Sequence, residues 1–126
     1  MMLVPPGVTV HLVPGFTDLR RNIDALGVLV QQALGCDPFS GQMFAFRGER
    51  ADMIKILWWD GTGLCLFMKR LENGYFPWPM TGGAKKTVEI TSAQLSMLIE
   101  GLNWEKPEHA WRPAVAAPSG NLPAAL

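Results

Sequence analysis

The sequence predicts an α+β fold in which an antiparallel β-meander packs against one long N-terminal helix, with a short helix closing the chain. Three observations predict it. Apolar residues recur at helical spacing from Leu19 to Leu34. The period then changes to three β-rich runs separated by turn sequences. A capping signature and a second helical stripe follow near residue 91.

In the first segment Val8, Val10 and Leu12 alternate with Thr9, His11 and Val13, a short strand closed by Pro14-Gly15. Thr17 is then placed as a helix N-cap, with Asp18 in the first turn. Leu19, Ile23, Leu26, Val30 and Ala33 or Leu34 form one apolar stripe. Gly35 stops that helix, and Asp37-Pro38 forbids its continuation.

Residues 43–47, 51–59 and 64–71 read as the meander strands, joined through Gly48-Glu49-Arg50 and Asp60-Gly61-Thr62-Gly63. A fourth run, residues 75–78, is bounded by prolines. Residues 86–90 offer one more strand. Thr91 and Gln94 then form a capping box, and Ile90 and Leu95 a hydrophobic staple, for a helix with Leu95, Leu98, Ile99 and Leu102 on one side. Residues 1–106 are expected to form a single domain. Residues 107–126, rich in proline and alanine, read as a loosely ordered tail.

Composition narrows the function. The chain of 126 residues has 48% hydrophobic and 17% charged residues, a globular balance. Eleven basic residues offset eleven acidic ones, so any attraction to nucleic acid must come from a local surface. The start of the chain lacks a signal-peptide pattern and no apolar run is long enough to span a bilayer, so no membrane partner is expected. Cys36 and Cys65 make no disulfide framework, and Cys65 reads as a small buried thiol in a strand. A reducing cytoplasm is the compartment expected.

With Asp60 to Gly63 as the hairpin loop, Trp59 faces Leu64, Leu57 faces Leu66, Lys55 faces Met68 and Met53 faces Arg70. The other side carries Ile54, Ile56, Trp58, Cys65 and Phe67. It is the expected core side under the long helix, with Ile56 and Phe67 opposite one another. The first side mixes Lys55, Arg70 and Trp59 with aliphatics. Between Arg47 and Lys86 seven basic residues stand against four acidic ones. Cations interleaved with aromatics can follow a phosphate backbone and stack bases. Equally, they can be the snorkelling cations of a half-solvated sheet. Arg47, Lys55, Lys69, Arg70, Lys85 and Lys86 are the candidate phosphate contacts, and Trp59 and Trp78 the candidate partner anchors. Lys69 points away from Lys55 and Arg70 and could join them only from a strand end.

Signatures of catalysis are lacking. The sequence has no glycine-rich phosphate loop, no zinc-type Cys/His cluster and no nucleophile-elbow serine. His11 and His109 lack companions at suggestive spacing. Asp18, Asp24, Asp52 and Asp60 read as helix-surface and turn residues rather than metal ligands. The protein is read as a non-enzyme without cofactor or metal site.

Particular stretches carry a family resemblance. They are Phe46-Arg47-Gly48, Ile54-Lys55-Ile56-Leu57-Trp58-Trp59-Asp60-Gly61, Gly63-Leu64-Cys65-Leu66, Lys69-Arg70-Leu71-Glu72 and Phe76-Pro77-Trp78-Pro79. Together they resemble the small TnpB-type accessory protein encoded beside the transposase in one class of bacterial insertion sequences, which is distinct from the RNA-guided nuclease of the same label. The segments 18–24, 37–41 and 98–104 extend the likeness, with Asn22 standing where the pattern has glycine. The resemblance implies an accessory factor of transposition whose partners are the transposase and the element's other accessory protein, with the chemistry residing in the transposase and DNA as an optional further partner. It brings no catalytic or ligand residues. Contact with DNA and a protein–protein adaptor role both remain open.

Overall fold

The computed structural model describes residues 4–105; the tail expected over 107–126 lies outside them. The elements run β1 Val10–Leu12, α1 Ile23–Gln32, β2 Met43–Arg47, β3 Met53–Trp59, β4 Leu64–Arg70, β5 Val88–Ile90 and α2 Ser92–Ile99. The five strands form one mixed sheet in the order β4-β3-β2-β1-β5. This overturns the expected meander under a long helix. The meander is only the β2-β3-β4 part; β1 lies parallel to β2 and β5 antiparallel to β1. Parallel neighbours need a crossover, and α1 supplies it, passing over one side of the sheet between β1 and β2.

The first helix is also shorter than its apolar stripe. Its N-cap is Asn22, whose side-chain oxygen accepts from the Ala25 N–H at 2.8 Å. Thr17 does not cap it: it lies well before Ile23, in a segment its own N–H ties to the Arg47 carbonyl at 2.9 Å. Asp18 accepts from the Arg20 backbone N–H and from its guanidinium, a local pairing that competes with helical hydrogen bonds. Leu19 therefore packs as part of a loop.

Both sides of the sheet are covered, so the core is double. On one side Phe44, Phe46 and Leu57 are fully buried with Leu26 and Val30 of α1, and Leu64 and Leu66 pack against them. On the other, Ile54 and Ile56 are buried with Leu95, Leu98 and Ile99 of α2, together with Phe76 and Trp104. The side expected beneath the long helix is thus the α2 side, and α1 covers the side expected to be half-solvated. The hairpin register is the one anticipated, from Met53↔Arg70 through Ile56↔Phe67 to Trp59↔Leu64.

The run at 75–78 is not a strand. Pro77 and Pro79 remove two ladder donors, and the segment is pinned at single points. The Phe76 N–H donates to the Ala51 carbonyl, the Trp78 indole to the Val13 carbonyl at 2.7 Å, and the Trp104 indole to the Pro77 carbonyl. At α2 the capping box is present as anticipated, with Thr91 and Gln94 bonded reciprocally.

Candidate nucleic-acid interface

Strand directions bring distant parts of the sequence to one end of the sheet. Given the pairing, the end of β1, the end of β2, the start of β3, the end of β4 and the start of β5 all lie together. Arg47 closes β2, Lys69 and Arg70 close β4, and Lys85 and Lys86 lead into β5. Lys55 is the third residue of β3. Arg50 sits in the turn between β2 and β3. The 16–21 segment is tied to the same end where Thr17 meets Arg47 and where the Lys55 ammonium donates to the Arg21 carbonyl.

Of the chain's eleven lysines and arginines, all but Lys106 and Arg112 lie within the described residues, and those nine are all at or close to this end. Carboxylates share it, Asp18, Glu49, Asp52, Glu72 and Glu100 among them. Asp37 and Asp60 mark the opposite end, where none of the described residues is a lysine or arginine. Although the chain has zero formal charge, its described cations are thus confined to one end, where carboxylates offset part of their charge.

The nine cations divide by exposure. Arg20, Arg21, Arg50, Arg70, Lys85 and Lys86 are exposed. Arg20 is already engaged, pairing with Asp18 at 2.8 Å, the one ion pair among the described residues. The guanidinium's hydrogen bonds hold the Asp18 carboxyl far below the usual carboxylate range. The other three cations are half-buried and turned inward. Arg47 donates to the Phe76 carbonyl at 3.1 Å and lies 6.0 Å from the Trp78 ring centre, its Nε buried without a partner. Burial lowers its pKa. Lys55 donates to the Arg21 carbonyl at 3.1 Å and Lys69 to the Ile99 carbonyl, at the last turn of α2, at 2.8 Å.

Of the six cations singled out from the sequence, then, Arg70, Lys85 and Lys86 present free heads to solvent, while Arg47, Lys55 and Lys69 brace the fold. Arg21 and Arg50, which lie outside the six, are exposed at the same end. The signal that finds them is topological. A cleft of about 660 Å³ opens at this end between residues 16–20 and 48–53. It carries both signs of charge and an exposed Phe16. The turn beside it is unusual in holding Ala51 at φ 69°, a left-handed conformation seldom taken by residues with a Cβ. The Phe76 N–H on the Ala51 carbonyl and the Ala51 N–H on the Gly48 carbonyl hold it there.

The two tryptophans part company. Trp78 spends its indole N–H on Val13 and packs against the α2-side core. Trp59 is half-buried at the opposite end, which has no lysine or arginine among the described residues, and Phe39 meets it edge-on with ring centres 5.5 Å apart. Phe39 is itself 52% exposed. Cys36 and Cys65 are free and half-buried. No helix of the described residues is long and apolar enough to cross a membrane.

Known proteins resemble this chain along most of its length. A family model described as "IS66 Orf2 like protein" matches residues 8–109. The chain is similar to the uncharacterized protein y4hO of Sinorhizobium fredii, 41% identical over 113 residues, which is 88% of this chain and 96% of the relative. It is also similar to the uncharacterized protein y4jC of the same organism, 38% identical over 90 residues, 71% of this chain and 74% of the relative. No solved structure matches.

Proposed function

The chain belongs to the IS66 Orf2-like family of insertion-sequence accessory proteins, and on that premise we propose that it grips the DNA backbone with the cationic end of its sheet. In this reading it performs no chemistry itself and works in the cytoplasm beside a separate transposase and the element's other accessory protein. The observation that carries it is the gathering of nine cations at one end of a neutral protein, six of them exposed and one paired. Arg21, Arg50, Arg70, Lys85 and Lys86 supply the phosphate contacts, and Arg47, Lys55 and Lys69 position the segments that present them. Contacts of this kind set affinity and orientation and read little sequence.

The test is DNA affinity across a salt series, using duplex from the element's own ends. Wild-type affinity should fall steeply with salt. An Arg50→Ala, Arg70→Ala pair and a Lys85→Ala, Lys86→Ala pair should each flatten the log–log slope by about two, roughly one for each phosphate no longer neutralised. Absence of binding at low salt, with and without transposase, would defeat the proposal.

A second reading has its own observation. The Trp59–Phe39 pair is a half-exposed aromatic patch far from the cations, of a kind that anchors protein partners. An adaptor role predicts that Trp59→Ala abolishes transposase capture and leaves the salt slope for DNA unchanged.

A further inference from the structure

The two edges of the sheet are managed differently. β5 is three residues long, too short to template a partner strand, but β4 offers seven, Leu64–Arg70. Exposed edges are normally blunted by proline, bulges or charge. β4 has no proline or glycine, pairs with β3 without a bulge, and carries charge only at Lys69 and Arg70. Leu64, Cys65, Leu66 and Phe67 are only half-buried, and Met68 is 58% exposed.

Which groups of β4 point outward follows from the hydrogen bonds flanking the hairpin. The Leu71 N–H donates to the Asp52 carbonyl, and the Asp60 N–H to the Gly63 carbonyl. Antiparallel ladders alternate between bonded and non-bonded pairs. Lys69, Phe67 and Cys65 therefore bond to β3, while Leu64, Leu66, Met68 and Arg70 turn both N–H and C=O away from it. Those outward groups find no hydrogen-bond partner among the described residues.

We propose that β4 is a dimerisation edge, pairing antiparallel with β4 of a second copy about a two-fold axis at Phe67. In that register Leu64 lies opposite the partner copy's Arg70, Leu66 opposite its Met68, and Phe67 opposite its Phe67. Every outward N–H and C=O of the four residues is then satisfied, and the exposed Met68 side chain is covered. The choice of a second copy rests on charge. Antiparallel pairing sets the cationic end of one molecule beside the Asp60 turn of the other and holds the two cationic ends apart, as electrostatic complementarity requires. The dimer would carry its two cationic ends at opposite strand ends of a continuous ten-stranded sheet.

Sedimentation of the full chain without DNA tests this. Wild type should pass, over micromolar concentrations, from 13.9 kDa to twice that mass. Met68→Pro removes an outward donor and leaves the β3 ladder intact, a placement proline tolerates on an edge strand. It should weaken the dimer by about tenfold or more. Arg70→Glu sets a carboxylate beside Asp60 and should also weaken it, with added salt recovering part of the loss. If Met68→Pro fails to fold, Arg70→Glu still decides. A wild type that stays monomeric overturns the proposal, as does a dimer indifferent to both substitutions. Because DNA is absent, neither result bears on whether the cationic end binds phosphate.

Discussion

Arg47, Lys55 and Lys69 each end on a main-chain carbonyl, those of Phe76, Arg21 and Ile99. Such a role leaves no trace in local sequence, because the acceptors lie 29, 34 and 30 residues away. Residue type alone presents these three as surface cations equivalent to Arg70. Arg47 separates the two roles most sharply, since it also covers Trp78 and is lowered in pKa by burial. Arg47→Ala should cost about 1–3 kcal/mol in urea denaturation, from the missing hydrogen bond and packing, while leaving the salt slope of DNA binding unchanged. Arg70→Ala should do the reverse. Phe67, paired with Ile56 as the hairpin parity requires, is half-buried rather than fully so, because it belongs to the edge strand.

Among the elements, α2 and the β3–β4 hairpin are the most legible, and for a common reason. Their determinants are local: Thr91 to Gln94 is one helical turn, and the Asp60 side chain closes its own loop by accepting from the Thr62 and Gly63 N–H groups. Those hydrogen bonds hold the Asp60 carboxyl below the usual carboxylate range. Thr91→Ala should destabilise by about 1 kcal/mol, read as an earlier thermal midpoint, and Thr91→Ser should restore most of it. The start of α1 is less legible because two residues compete for it. Thr17 and Asn22 are both residue types that cap, and the Thr17 N–H bond to the Arg47 carbonyl ties its segment to β2, so that the helix starts only after Asn22. Residues 75–78 look like a strand by composition, yet Pro77 and Pro79 limit them to isolated hydrogen bonds.

For the whole molecule, the arrangement of charge matters more than its sum. The proposed DNA contact draws nothing from net charge, which alone argues for no attraction. Localisation can be checked with changes of equal size and opposite position. Asp37→Asn adds one positive charge at the far end, while Arg70→Ala removes one at the cationic end. If contact is confined to the cationic end, Asp37→Asn should alter DNA affinity far less than Arg70→Ala, measured at one low ionic strength where screening is weakest. Equal and opposite changes would mean that overall charge governs binding.

The residues by themselves determined most of the strand and helix segments, the hairpin register, the α2 cap and the family likeness. Each depends on spacing of a few residues or on short quoted motifs. Only the tertiary structure decided the architecture: that β1 and β5 extend the meander into a mixed sheet, that two short helices cover its two sides in place of one long helix on one side, and that nine cations scattered from Arg20 to Lys86 converge. Those outcomes depend on strand direction and on which side each crossover passes. The apolar pattern of β3 is satisfied whichever helix covers which side, so the local sequence carries no preference between them.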